Sequence, residues 1–142
     1  MKNQRMLDEL TELMRIDVSS GQETEIAECL VKKLKQMGFS ITRDEAGDTF
    51  GGVCGNVLAV REGERDGVVC FCSHMDRVPG GIGIKPVEED GILHSSGDTI
   101  LAADDLSGVA AILEGVRQAI ESGKALPKLE ILFTVGEEAG LY

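Results

Sequence analysis

His74 and Asp76 stand two residues apart at the end of an apolar run, V-V-C-F-C-S-H-M-D over residues 68–76. An imidazole binds a first-row divalent metal, and a nearby carboxylate can accept its other N–H, fixing the tautomer and raising the basicity of the ligand. In an extended chain, residues two apart project to the same side; in a helix they would lie about 200° apart. The pair therefore calls for a strand. Two further acid pairs, Asp104-Asp105 and Glu137-Glu138, also border apolar elements. A carboxylate has two oxygens, so Asp104 can bridge two ions about 3.5 to 4 Å apart. His74 then belongs to one ion and Glu138 to the other. Glu137 is left free as a general base for a water whose pKa the ions lower, and it can pass the proton to a leaving amine.

Each group also has a structural alternative. His74 can be a hydrogen-bonded residue at a strand end, Asp104 or Asp105 the N-cap of the following helix, and Glu137-Glu138 a solvated loop pair. His94 reads as a hairpin residue. The case for a site is joint, because all three segments end at the edge of what reads as one sheet.

Periodicity indicates the helices and strands that carry these groups. Residues 6–14 carry Leu7, Leu10 and Met14 at helical spacing, as a short surface helix does. Ser20-Gly21-Gln22-Glu23 has the form of a capping box, in which the Ser20 hydroxyl and the Glu23 side chain each satisfy the other's backbone amide. A helix over 23–37 comes next, with Ile26, Leu30, Leu34 and Met37 on one face and Gly38 as its stop. Residues 39–44 alternate as a half-buried strand, 45–55 form a Gly-rich loop, and 56–60 form another strand. A charged turn over 61–66 leads to the run at 68–76, read as a buried central strand lying antiparallel beside 56–60. Residues 77–91 read as a long loop, and 92–94 with 99–102 as a hairpin. Leu106, Val109, Ala110, Leu113, Val116 and Ile120 form a helical stripe ending near Gly123, and 129–135 form a strand. Strand, helix, strand is the crossover unit of an α/β sheet.

Length and charge narrow the class. The 142 residues suit one ordinary core, since domains commonly run to about 100 to 150 residues. The net charge of -11, from 25 acids against 14 bases, opposes binding to nucleic acid or an acidic membrane face. No apolar run approaches the roughly 20 residues that span a bilayer. Met1-Lys2-Asn3-Gln4-Arg5 lacks the apolar stretch of a secretory signal. The chain reads as cytoplasmic. Cys29, Cys54, Cys70 and Cys72 show no C-x-x-C zinc spacing and read as reduced thiols used as small apolar residues.

Three ordered motifs carry a family resemblance: S-H-M-D-R-V-P-G-G from Ser73, D-G-I-L-H-S-S-G-D-T-I-L-A-A-D-D-L-S-G-V-A from Asp90, and F-T-V-G-E-E-A-G-L-Y from Phe133. The chain resembles the co-catalytic zinc exopeptidases related to peptidase T, a family that also holds glutamate carboxypeptidase, aminoacylase and dipeptidase branches. The resemblance implies a zinc-exopeptidase-like catalytic domain of the α/β class, a mixed sheet flanked by helices, binding two zinc ions, with cobalt or manganese as alternatives. His74 is then a ligand to one zinc, Asp104 the bridge and Glu138 a ligand to the other, with Asp76 supporting His74 and Glu137 as the base. It also implies that the Asp104-Asp105 peptide bond is cis. Where related sequences carry Lys soon after the bridging Asp, Leu106 stands here.

The family completes its site with a further acid and a further His from later sequence. It also inserts a lid domain that helps bind substrate and often makes a dimer. Residues 1–142 are therefore expected to be the N-terminal part of the catalytic domain, truncated at the C-terminus, weak in metal binding and inactive alone. The full-length protein is expected to be an aminopeptidase acting on tripeptides or short peptides, with a homodimer through the lid. The alternatives are a carboxypeptidase or N-acyl amino acid deacylase of the same family, or a non-enzymatic α/β module that binds a partner.

Overall fold

The computed structural model describes residues 4–140. Met1 to Asn3, and Leu141 and Tyr142 at the end of the third motif, lie outside the described residues. Helices α2 (Thr24–Gln36) and α3 (Ala103–Glu121) pack on a sheet of β1 (Ser40–Arg43), β2 (Val57–Arg61), β3 (Val68–His74) and β6 (Lys128–Thr134), and helix α1 (Gln4–Met14) packs against α3. A separate hairpin joins β4 (Pro86–Glu89) to β5 (Ile92–Ser95). The sheet is mixed: its order is β1-β2-β6-β3, with β6 antiparallel to β2 and parallel to β3. This is the α/β arrangement that the strand-helix-strand periodicity implies, with the mixed sheet and flanking helices that the resemblance implies.

Strand β6 is the axis of the sheet. Leu129, Ile131 and Phe133 are buried at every second position, and the residues between them are half-buried, the pattern of a strand with one face in the core. That face meets Ile26, Leu30 and Leu34 of α2 and Leu106, Val109 and Leu113 of α3 in one apolar cluster. Charged groups fasten α1 across the other helices. Arg117 on α3 donates to Glu9 on α1, Arg5 on α1 donates to both Glu114 and Glu121, and Lys33 on α2 pairs with Glu9 and Glu12. Among the described residues no helix is long and apolar enough to cross a membrane.

Several expectations need correction. Residues 68–76 are not the central strand, and β3 is not beside β2; β6 lies between them. Without a neighbour on its far side among the described residues, β3 leaves Val68, Val69 and Phe71 exposed rather than buried. Apolar composition marked a strand that needs cover, which is not the same as a strand that has it. Cys70 and Cys72 are likewise exposed, Cys54 is buried, and all four thiols are free. The hairpin lies one strand earlier than read. Asp90 and Gly91 both have positive φ, 52° and 79°, the backbone of a two-residue hairpin turn, so 86–89 pairs with 92–95. Pro86 and the run of acids after it hid that strand.

The capping box also fails to form. Glu23 is the residue before α2 but makes no side-chain cap bond. Ser20 Oγ instead donates to Asp76 Oδ2 at 2.6 Å, a short charge-assisted bond that directs the side chain toward the buried carboxylate.

Candidate metal centre

Parallel pairing explains why distant residues meet. His74 lies in register with Thr134, and the amide of Met75 donates to the Thr134 carbonyl at 2.9 Å. The carboxyl ends of β3 and β6 are thus side by side. The segments leaving these two ends, His74 to Asp76 and Gly136 to Glu138, enter the same space, the usual place for ligands in such sheets.

The third segment arrives through α3. Ala102 is buried with a left-handed φ of 60°, the Asp104-Asp105 peptide is cis as the resemblance implied, and helical geometry begins only after Asp105. The two aspartates divide the two readings between them. Asp105 is the cap: its carboxylate accepts from the Gly108 amide at 3.1 Å and from Ser73 Oγ at 2.7 Å. Asp104 is turned outward, its side chain 83% exposed, with Oδ1 3.1 Å from His74 Nε2. Ser73, next to His74, therefore ties the start of α3 to the tip of β3.

His74, Asp104 and Glu138 each offer one ligand atom, and these atoms all lie within 4.8 Å of one another. His74 is only 11% exposed at its side chain. Its Nδ1 is 3.3 Å from both the carbonyl oxygen and Oδ1 of Asp76, which leaves Nε2 toward Asp104 and, at 4.0 Å, Glu137 Oε2. Burial works against the charged imidazolium, but the Asp104 bond and the charges of Asp76 and Glu137 outweigh it and raise the His74 pKa. One nitrogen and two carboxylates, with the second nitrogen against a buried carboxylate, fit zinc and its first-row neighbours.

Asp76 does more than face His74. It is 1% exposed, and its Oδ1 accepts from the Glu137 amide at 3.0 Å and its Oδ2 from the Glu138 amide at 2.9 Å. The adjacent amide, Gly136, donates at 3.3 Å to Oε1 of Glu23, a side chain with no exposure at all. Burial pushes the Glu23 carboxyl up, against the lowering effect of its amide donors. Sequence reasoning missed these roles of Ser20 and Glu23, since S-x-x-E before a helix reads as a local cap and nothing in it points to a strand end far along the chain. His94 stays outside the cluster, on the hairpin, 3.4 Å from Glu89.

Two clefts flank the Glu137-Glu138 segment. One of about 470 Å³ lies between Val18, Ser20, Val78, Ile82 and Glu138. One of about 240 Å³ lies between Phe50, Asn56, Thr134 and Glu137. The loop that walls the larger cleft is anchored by Arg77, 1% exposed, whose guanidinium donates to the carbonyls of Leu13 and Gly81 at 2.9 and 3.1 Å.

Residues 56–142 match the model of peptidase family M28. Over 142 residues the chain is 37% identical to the uncharacterized protein YqjE of Bacillus subtilis strain 168, covering 99% of this chain and 38% of that one. The structure of aminopeptidase PepT from Bacillus cereus ATCC 10987 superposes with a TM-score of 0.92 at 37% identity, over 96% of this chain and 37% of that one. A tripeptidase structure from Staphylococcus aureus subsp. aureus Mu50 gives 0.90 at 34% identity, over 96% of this chain and 37% of that one. The chain thus spans little more than a third of the length of these relatives.

Proposed function

The chain belongs to peptidase family M28, and from that premise we propose that it is the N-terminal part of the catalytic domain of a zinc-dependent aminopeptidase that removes the first residue of tripeptides and other short peptides. The observation that carries this reading is the meeting of His74, Asp104 and Glu138 within 4.8 Å, with Glu137 beside them. The similarity to PepT and to a tripeptidase supports the choice of short peptides and of the amino end.

His74, Asp104 and Glu138 would hold two zinc ions, with Asp104 shared, and cobalt or manganese as alternatives. Bound there, the metal would polarise a peptide carbonyl and acidify water. The chain's own residues do the rest. Glu137, half exposed at its side chain and within 4.0 Å of His74 Nε2, takes a proton from the attacking water and returns it to the leaving amine. Asp76 fixes the His74 ring from behind and holds the backbone of both glutamates. Asp105 and Ser73 hold the start of α3 so that Asp104 faces the pocket.

The remaining ligands, and a lid that helps close over substrate and supports a homodimer, come from outside this chain in the proposal. A cytoplasmic location belongs to it as well. Nucleic acid and membranes are not partners in this reading, given a net charge of -11.

The test is an assay of the full-length protein, with and without Glu137→Ala, on tripeptides and on N-acyl amino acids, identifying which end is released. Release of the N-terminal residue, lost in the variant, is the expected result. Release of the C-terminal residue or of an acyl group would move the assignment to the carboxypeptidase or deacylase alternative. No cleavage by metal-loaded protein would leave the partner-binding module.

A further inference from the structure

Three consecutive amides at the end of β6 are gripped by two buried carboxylates. Gly136 N–H goes to Glu23 Oε1 at 3.3 Å, Glu137 N–H to Asp76 Oδ1 at 3.0 Å, and Glu138 N–H to Asp76 Oδ2 at 2.9 Å. The chain can present three successive donors inward because Gly136 has a φ of 68°, a conformation costly for other residues, and a Cβ there would come within 2.6 Å of the Phe50 ring. With the amides drawn inward, the side chains of Glu137 and Glu138 are left to the pocket.

Glu23 is an unusual participant. A fully buried acid is expensive unless its hydrogen bonds repay the lost hydration. Yet Glu23 does not cap its own helix. Its Oε1 accepts from Gly21 at 2.7 Å as well as from Gly136, and its Oε2 is buried without a hydrogen-bond partner. The same turn sends Ser20 Oγ to Asp76 Oδ2 at 2.6 Å. The start of α2 is therefore joined to the metal-site loop twice, once through Asp76 and once directly.

We propose that Glu23 is a positioning residue for the active site: together with Asp76 it clamps residues 136–138, so that Glu138 meets the metal and Glu137 meets the water. This rests on the roles given to Glu137 and Glu138 under the proposed function. Glu23 touches neither substrate nor metal and acts only through the backbone it holds.

The test compares Glu23→Met, Glu23→Gln and Glu23→Asp with wild type in the full-length protein. Zinc affinity is read by competition with a chromophoric chelator, kcat and KM on a tripeptide, and Tm as a check on folding. Met keeps the length and removes the acceptor; Gln keeps both length and acceptor; Asp keeps the charge but is too short to reach Gly136. Loss of an outer partner of a metal site typically costs about 10- to 100-fold in affinity or activity. Met is expected to lower zinc affinity and kcat within that range at unchanged KM, with Asp falling in the same direction and Gln remaining near wild type. Should Met fail to fold, the contrast between Asp and Gln carries the test. Wild-type zinc affinity and kcat in both Met and Asp, or a loss in Gln as deep as that in Asp, would overturn the role of Glu23. A wild-type protein that binds no zinc would instead overturn the proposed function and, with it, this inference.

Discussion

Asp76 accepts the backbone N–H of Glu138 at 2.9 Å while the other oxygen of the same carboxylate lies 3.3 Å from His74 Nδ1. One buried side chain thus sets the relative position of two proposed ligands that are 64 residues apart in the chain. Asp76→Ala would release the imidazole, leave two amides without their acceptor and leave the Ser20 hydroxyl with only the Arg77 carbonyl at 3.3 Å. The expected outcome is a loss of zinc affinity of about 10- to 100-fold, measured by chelator competition, together with a lower Tm.

Asp104 and Asp105 should separate cleanly under mutation. Asp105→Ala removes the cap of α3 and the partner of Ser73, so it should cost stability on the order of 1 kcal/mol and leave zinc affinity close to wild type. Asp104→Ala should do the reverse: an unchanged Tm in metal-free protein, with affinity lost by more than roughly 100-fold, beyond the usual effect of an outer partner. Denaturant melts and zinc titrations on both variants check this pair of outcomes.

Glu137→Gln removes the base but none of the proposed ligands. In the full-length protein kcat should fall by about 10²- to 10⁴-fold, the usual share of a general base, while zinc stoichiometry is unchanged. Stopped assays beside metal analysis of the same sample provide the comparison.

Acid should loosen the helical layer through Glu114. Hydrogen bonding by Arg5, opposed by desolvation and aided by Gln118 and Arg117, holds its carboxyl down at about 2. The folded-state value lies below the ordinary 4.5, so the stabilisation is full above that pH and is lost as pH falls toward about 2. Glu114→Gln should lower Tm near neutral pH, and the gap to wild type should shrink as the pH is brought down through that window. A gap that stays constant with pH would show that the carboxylate is not the source.

Much of the fold was legible because it is written in local period. The stripe from Ile26 to Leu34 and the alternation of Leu129, Ile131 and Phe133 each identify their element and its buried face. Order within the sheet was not legible. Residues 57–61 and 68–74 are close neighbours in the chain, yet β6 enters between them from more than fifty residues later, and that choice depends on tertiary packing. The meeting of the candidate ligands was legible where chemistry is exposed in residue type, as at His74, Asp104 and Glu138. The site was hidden where a side chain works on distant backbone. Ser20 and Glu23 carry the spacing of a local cap, and only the three-dimensional meeting of α2 with the ends of β3 and β6 gives them partners outside their own turn.

Every role proposed for the site depends on three segments converging on one metal pocket. Anomalous diffraction at the zinc edge, from crystals of the zinc-loaded full-length protein, is the decisive measurement of that convergence. Zinc peaks bonded to His74 Nε2, to Asp104 and to Glu138, at about 2.0 to 2.2 Å, are the predicted result. Peaks absent from this pocket, or coordinated without any of those three side chains, would contradict it.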